Sequence, residues 1–475
     1  MSVNRYLAFD LGAGRGRAVL GELSSSGRLK LAEIHRFSNK PFRKNGRLCW
    51  DTHGQFEQIK KGLALCAKSG KKIDSAGIDA WGVDFGLLDA NGKLLADSIC
   101  YRDVMTEGMP EKLFKKLPKE RLYKLTGIQI MRINTVFQLF ALAKKNDKAL
   151  KRAKSLLFIP DLMNYFLTGK LASEFTVVTT SQLYNPREKC FSPEIFRSIG
   201  VDISLMPPVA QPGNILGDIL PAIAKEAGID YRVPVINVAS HDTASAVAAI
   251  PASGEDFAYI SSGSWSLIGY EAKKPCITAL SAKLNYTHEG GAEGTFRILK
   301  NINGLWMIQE IARNLAKRGI KRSFAELTNL ARKSGKAAAV IDTNYPPFLT
   351  PCDMPEEIRA YCRKTGQKTP KSEGELVRVV LESLALSYRK ALEEITLLRG
   401  KRPVRIHIIG GGANNTLLCE LTAKATGLPV YAGPAEASSA GNILIQALAS
   451  GRLKSLKEAR EVSKKSLKPK IYFPK

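Results

Sequence analysis

Histidine, tryptophan and cysteine are sparse in this 475-residue chain, at five, four and eight residues. The cysteines (Cys49, Cys66, Cys100, Cys190, Cys276, Cys352, Cys362 and Cys419) form no CxxC pair, and the histidines make neither HxxxH nor HExxH. Those spacings exclude the usual zinc sites. Cys352 and Cys362 stand closest and could bridge a surface loop, but free thiols are expected in a reducing compartment. No apolar run approaches the roughly 18 residues that span a bilayer. The opening MSVNRYLAFD enters a strand almost directly, without the regions of a signal peptide, so a cytoplasmic location and no membrane partner are expected. Acids are few beside bases: 44 Asp and Glu against 71 Lys and Arg, a net charge of +27. Such an excess raises nucleic-acid binding as a possibility. The lysines, however, cluster as KKLPKER, KKNDKALKRAK and SKKSLKPK without interleaved aromatics, and no helix-turn-helix or zinc-finger spacing is present. A solvated basic surface that draws in an anionic substrate is expected, with no nucleic-acid partner.

A chain of this length exceeds one core, and its 44% hydrophobic content suffices for two α/β domains. Pro251-Ala252-Ser253-Gly254 marks the break, giving domains 1–250 and 251–475. Each opens in the same way. YLAFDLGAGRGRAVLGEL is a strand, a turn of Gly12, Gly14 and Gly16, and a strand; FAYISSGSWSLIGYE repeats the plan around Ser261–Ser264. The first turn is no Walker loop, since GxxxxGK[ST] is missing, and no helix follows as a dinucleotide site requires. Its glycines permit positive φ and close approach, so backbone N–H groups can line an anion nest, with Asp10 at the mouth. A plain hairpin turn fits the first stretch alone equally well. Repetition of the whole unit suggests two similar domains, each offering a phosphate hairpin to a cleft between them.

The stretch PVINVASHDTASAVAA runs from a short strand through Ser240-His241-Asp242-Thr243 into a helix. Asp242 reads two ways: as the helix N-cap, or as a carboxylate held ionised by the helix dipole and able to take a proton from a hydroxyl. Upstream, Asp79, Trp81 and Asp84 cluster around Gly82, offering a sugar an apolar face and hydroxyl acceptors, and Tyr101-Arg102-Asp103 could face the same place. A buried Trp with exposed turn acids is the other reading. Asn301 and Gln309 flank a helix start near Asn303. An i+3/i+4 apolar stripe predicts a helix over 374–399 ended by Gly400. Gly410-Gly411-Gly412 then lies between a strand and a helix, where consecutive glycines admit a flat ring. The last 25 residues are basic and expected to be peripheral.

Seven motifs, DLGAGRGR, GIDAWGVDF, ASHDTASAV, SSGSWSLIG, EGGAEG, LKNINGLW and IIGGGANNTLL, together resemble the FGGY carbohydrate kinases over roughly residues 5 to 450. The resemblance implies a two-domain actin/hexokinase-like α/β fold with the active site in the interdomain cleft. It implies phosphorylation of a ketose by ATP with Mg²⁺, L-rhamnulose at its 1-hydroxyl above others, in a monomer or small homo-oligomer. L-Fuculose and xylulose are the alternative substrates, and a non-catalytic ATP-binding relative is the alternative class. By the same resemblance Asp242 is the catalytic base, and Gly82, His241, Thr243 and Asn301 bind the sugar. Ala13, Gly14, Arg15, Gly16, Arg17 and Ser264 contact the ATP phosphates, Gln309 and Gly411 the nucleotide, and Asp10 holds the metal through water. Ser264 stands where Thr is frequent, and Gly14-Arg15 where small hydroxyl residues are common.

Overall fold

The computed structural model describes residues 3–475. They form two compact units, neither contiguous in sequence. The first comprises residues up to 253 together with 271–298 and 437–466; the second comprises 254–270, 299–436 and 467–475.

The first unit is built on a six-stranded sheet in the order Asn214–Asp218, Pro234–Asn237, Ser75–Ala80, Val3–Leu11, Arg15–Ser24, Leu29–Ser38. Pro234–Asn237, Ser75–Ala80 and Val3–Leu11 run parallel, and Arg15–Ser24 returns antiparallel as the expected hairpin. Tyr6 through Leu11 are buried because helices cover both faces of a central strand. The period of two then sorts the side chains. Phe9 points toward helix Thr52–Lys68, where only Gly62 leaves room for its ring. Tyr6 and Asp10 point the other way, toward helix Ala437–Ala449. That helix presents a polar stripe: Ser439 bonds Asp10, Asn442 bonds Asp79, and Gln446 bonds Ser75 and the Leu7 carbonyl. A helical layer between residues 104 and 206 packs Phe137, Phe140, Leu156 and Phe196 into a separate core.

In the second unit, strands Phe257–Ser262 and Trp265–Ala272 form the second hairpin, and Phe257–Ser262 pairs in parallel with Arg405–Ile409. Helix Glu373–Arg399 follows its predicted stripe, opened by a Ser372/Glu375 capping box and closed by Gly400 at φ 68°. The chain end is not peripheral. Helix Leu456–Ser466 packs in the first unit with Ala459 and Ser463 fully buried, and Lys470–Tyr472 adds a strand to Val430–Ala432. In that helix Lys457, Lys464 and Lys465 are exposed while Leu456, Ala459 and Val462 are buried, a pattern that composition alone hides. All eight cysteines are free, Cys352 and Cys362 included.

Helices Asp242–Ala248 and Ala437–Ala449 touch backbone to backbone at one point. A Cβ on Gly441 would stand 1.7 Å from the Ser245 carbonyl oxygen. Gly441→Ala must therefore push the two helices apart. Thermal unfolding of that variant is expected to report a loss of at least ~1–3 kcal/mol, the usual cost of overpacking.

Candidate active site

The parallel strands of the first unit end together, with Asp10 and Asp79 next to last in two of them. Asp10 and Asp79 are partners in register on adjacent strands. The chain beyond Pro234–Asn237 swings beside them: Ala80 N donates to the Ser240 carbonyl at 2.8 Å, and Ala80 bridges His241. Ser240 and His241 are fixed in turn by buried side chains. Ser240 N donates to Glu174 Oε2 and His241 N to Thr176 Oγ1. Burial pushes the Glu174 carboxyl up to about 7, against the hydrogen bonds it accepts.

Asp242 is not the helix cap. His241 holds the cap position, and Asp242 is the first residue of helix Asp242–Ala248. Its Oδ1 accepts from Thr243 Oγ1 at 3.1 Å and lies 3.5 Å from His241 Nε2. The side chain is 29% exposed, so the carboxylate is recessed but reachable. Burial raises its pKa and Asp10 adds to the shift, while His241 and Thr243 oppose it. Desolvation is the largest of these influences and works against the ionised form that a helix start favours. Asp79 has no exposed surface, and burial with the neighbouring Asp10 charge drives its carboxyl well above the ordinary range. Arg17 and Ser439 both meet Asp10 at Oδ2, with the Arg17 contact at 3.0 Å.

Behind His241 lie two residues that sequence reasoning did not single out. Glu289 Oε2 is 3.3 Å from His241 Nδ1, and Arg297, fully buried, reaches both groups at 3.1 Å. EGGAEG stood out in the sequence only as a motif; that the excursion 271–298 returns to the first unit was not legible there.

Trp81 and Asp84 are both buried, so Asp84 is not the exposed turn acid of the alternative reading. Asp84 Oδ2 accepts from Trp50 Nε1, Trp81 Nε1 and Tyr101 N at 2.7, 2.9 and 3.1 Å, and Oδ1 accepts from Gln138 at 3.1 Å. This carboxylate is engaged by the protein and anchors the tryptophans, although burial still lifts it to about 6. Asp103 is similarly engaged, accepting from Leu48 N and Met105 N. Between Trp81 and Asp84 the chain takes an unusual path, with Val83 at φ 67°. A β-branched residue there is strained. Thr180 Oγ1 accepts from Val83 N, Thr135 Oγ1 donates to Val83 O, and a Cβ on Gly82 would sit 2.8 Å from Thr180 Oγ1.

At the first hairpin Ala13 is half-buried and Gly14 and Arg15 are exposed. Gly12, Gly14 and Gly16 all avoid positive φ, so the expected left-handed turn is absent. Gly16 is glycine for another reason: a Cβ would strike the Phe37 ring at 2.1 Å. In the second unit Ser264 Oγ donates to Gln309 Oε1 at 3.1 Å, and Gly304, Leu305 and Trp306 donate backbone bonds to the hairpin. The helix begins at Trp306, slightly later than expected. Asn301 lies in the same unit on strand Phe296–Asn303. Gly410 takes φ 79°, while Gly411 faces open space, with no atom within 4 Å of a Cβ placed there. Among the described residues no three His, Cys, Asp or Glu side chains are grouped to hold a metal directly, and no helix is long and apolar enough to cross a membrane.

Residues 5–249 match the N-terminal domain of the FGGY family of carbohydrate kinases, and residues 258–450 match its C-terminal domain. The chain belongs to the FGGY carbohydrate kinases. Its fold is that family's two-domain α/β architecture, of the actin-like ATPase type. This FGGY kinase is 42% identical to a rhamnulokinase of Bacteroides thetaiotaomicron over 99% of this chain and 96% of that one. It is 43% identical to a rhamnulokinase of Halalkalibacterium halodurans over 99% of both. The fold is similar to gluconate kinase from Lactobacillus acidophilus, with TM-score 0.80, 17% identity, and coverage of 100% of this chain and 94% of that one. It is also similar to Plasmodium falciparum glycerol kinase with ADP, with TM-score 0.79, 14% identity and the same coverage.

The four donors on Asp84 make a stability prediction for the kinase. Asp84→Leu leaves two indole N–H groups, an amide and a backbone N–H without their buried acceptor, each costing ~1–3 kcal/mol. Its thermal midpoint is expected to fall far below that of Asp84→Asn, which keeps an acceptor oxygen. Tryptophan emission should shift in both variants.

Proposed function

We propose that this kinase transfers the γ-phosphoryl group of ATP to the 1-hydroxyl of L-rhamnulose, giving L-rhamnulose 1-phosphate. The observation that carries the reaction is Asp242, a recessed, reachable carboxylate flanked by His241 and Thr243 and not used as a cap. The substrate rests on full-length similarity to proteins named rhamnulokinase.

In this reading Asp242 takes the hydroxyl proton as the sugar oxygen attacks the γ-phosphorus and ADP leaves. Phosphoryl transfer demands alignment and charge neutralisation more than covalent help. Residues 1–250 supply the base and most of the sugar site: Gly82, His241 and Thr243. Asn301 completes the sugar contacts. Residues 251–475 supply the nucleotide contacts Ser264, Gln309 and Gly411, while Ala13–Arg17 take the phosphates. Gly14 and Gly411 suit that role because each faces open space. Asp10 Oδ2 is already engaged by Arg17 and Ser439, which fits contact with a hydrated Mg²⁺, an ion that keeps its waters readily, better than direct ligation. Asp10 would hold it through water, and the ion would supply neutralisation of phosphate charge. The reaction belongs in the cytoplasm.

ADP release measured across a panel of ketoses with MgATP tests the substrate. L-Rhamnulose is expected to give the highest kcat/KM; a preference of ~tenfold or more for L-fuculose or xylulose would move the assignment. In the same assay Asp242→Asn should retain its fold and ATP binding yet lose at least ~100-fold in kcat, the usual scale for a general base. Retention of more than about a tenth of wild-type kcat would remove Asp242 from the role.

The raised Asp242 pKa gives a pH dependence of definite sign. A base works only when deprotonated, so kcat/KM should fall as pH drops through the folded-state value. That limb is expected above the ordinary aspartate value of ~3.9. A limb at or below ~3.9 would contradict the buried environment of the base.

A further inference from the structure

His241 is approached from behind by an ion pair. Its Nδ1 lies 3.3 Å from Glu289 Oε2 and 3.1 Å from a terminal nitrogen of Arg297, while Nε2 faces Asp242. All of these residues belong to the first unit. Arg297 has no exposed surface; its Nε donates to the Gly290 carbonyl at 2.8 Å, and among the described residues neither its Nη1 nor Glu289 Oε2 has a hydrogen-bond partner, so Glu289 meets Arg297 and His241 as a charge only. Burial opposes ionisation of Glu289, but His241 and Arg297 outweigh it and hold the carboxyl below the usual range. Thr287 Oγ1 adds a bond to Glu289 Oε1 at 3.3 Å. A buried ion pair with an unmet donor is a poor device for stability, because desolvation cancels much of its attraction. It is a good device for fixing a ring. Arg297 can only donate, so Nδ1 accepts from it and the ring N–H is left on Nε2.

We propose that Glu289 and Arg297 are positioning residues for sugar recognition, acting through His241. Arg297 donates to Nδ1 and Glu289 holds the guanidinium as its ion-pair partner, so that Nε2 is presented beside Asp242, where the substrate hydroxyl is held. Arg297 keeps Glu289 ionised and in place, since the guanidinium can only donate and the carboxylate can only accept. This inference rests on the reading of Asp242 and His241 as the sugar site.

The test is steady-state kinetics with L-rhamnulose and ATP on the full-length protein. Glu289→Gln preserves volume and removes the charge. It is expected to raise the sugar KM at least ~tenfold while the ATP KM stays within about twofold. In a His241→Ala background the same substitution should add nothing to the sugar KM, because the residue through which it acts is gone. Glu289→Asp keeps the charge on a shorter arm and should give an intermediate sugar KM. An unchanged sugar KM, an equal rise in both KM values, or an additive effect in the His241→Ala background would overturn the proposal. So would failure of both Glu289 variants to fold, which would make the pair structural. Wild-type protein that phosphorylates no ketose defeats the underlying reading instead. An active wild type with an inactive Asp242→Asn and an unaffected Glu289→Gln defeats the clamp alone.

Discussion

Parallel strands deliver their side chains to one end of a sheet, and in the first unit that end collects carboxylates. Asp10 and Asp79 are register partners, and Asp242 follows the third parallel strand closely enough for Asp10 to shift its pKa. Like charges this near and this poorly solvated cannot all stay ionised without help. Each acid is treated differently. Asp10 receives Arg17 and Ser439, and Asp79 takes a bond from Asn442 at 2.6 Å while burial drives it toward its neutral form. Asp242 alone keeps partial access to solvent.

The same demand recurs wherever this unit buries an acid. Asp84 gathers donors from Trp50, Trp81, Tyr101 and Gln138, and Glu174 gathers them from Thr176, Val177 and Ser240. Among these donors Trp81 and Ser240 adjoin Gly82 and His241 in loops, while Gln138 and Val177 come from helices Thr135–Lys144 and Phe175–Val178. Satisfying the acids therefore fixes the loops, and the strained Val83 is tolerated because Thr180, Thr135 and Gln138 hold its peptide groups. Function and folding draw on the same hydrogen bonds here.

Local patterns carried the sequence analysis far. Both hairpins, the strand running through Ser240–Thr243 into a helix, and the capped helix ending at Gly400 are written in short windows. Corrections came where a residue type had more than one use. Asp242 suits a cap but stands one residue inside the helix. Gly16 suits a turn but serves to admit the Phe37 ring. The basic tail suits solvent but buries its apolar face.

The sequence by itself determined the two-hairpin α/β architecture, the family, and the nomination of Asp242, because strand period, glycine placement and motif order are local properties. Only the tertiary structure decided what surrounds that aspartate. Glu289 and Arg297 return from a distant excursion to stand behind His241, and Ser439 and Asn442 arrive from near the end of the chain to meet Asp10 and Asp79. A buried polar group needs a partner, but any donor at the right distance satisfies it. No local pattern says which remote donor that will be, so the choice belongs to packing.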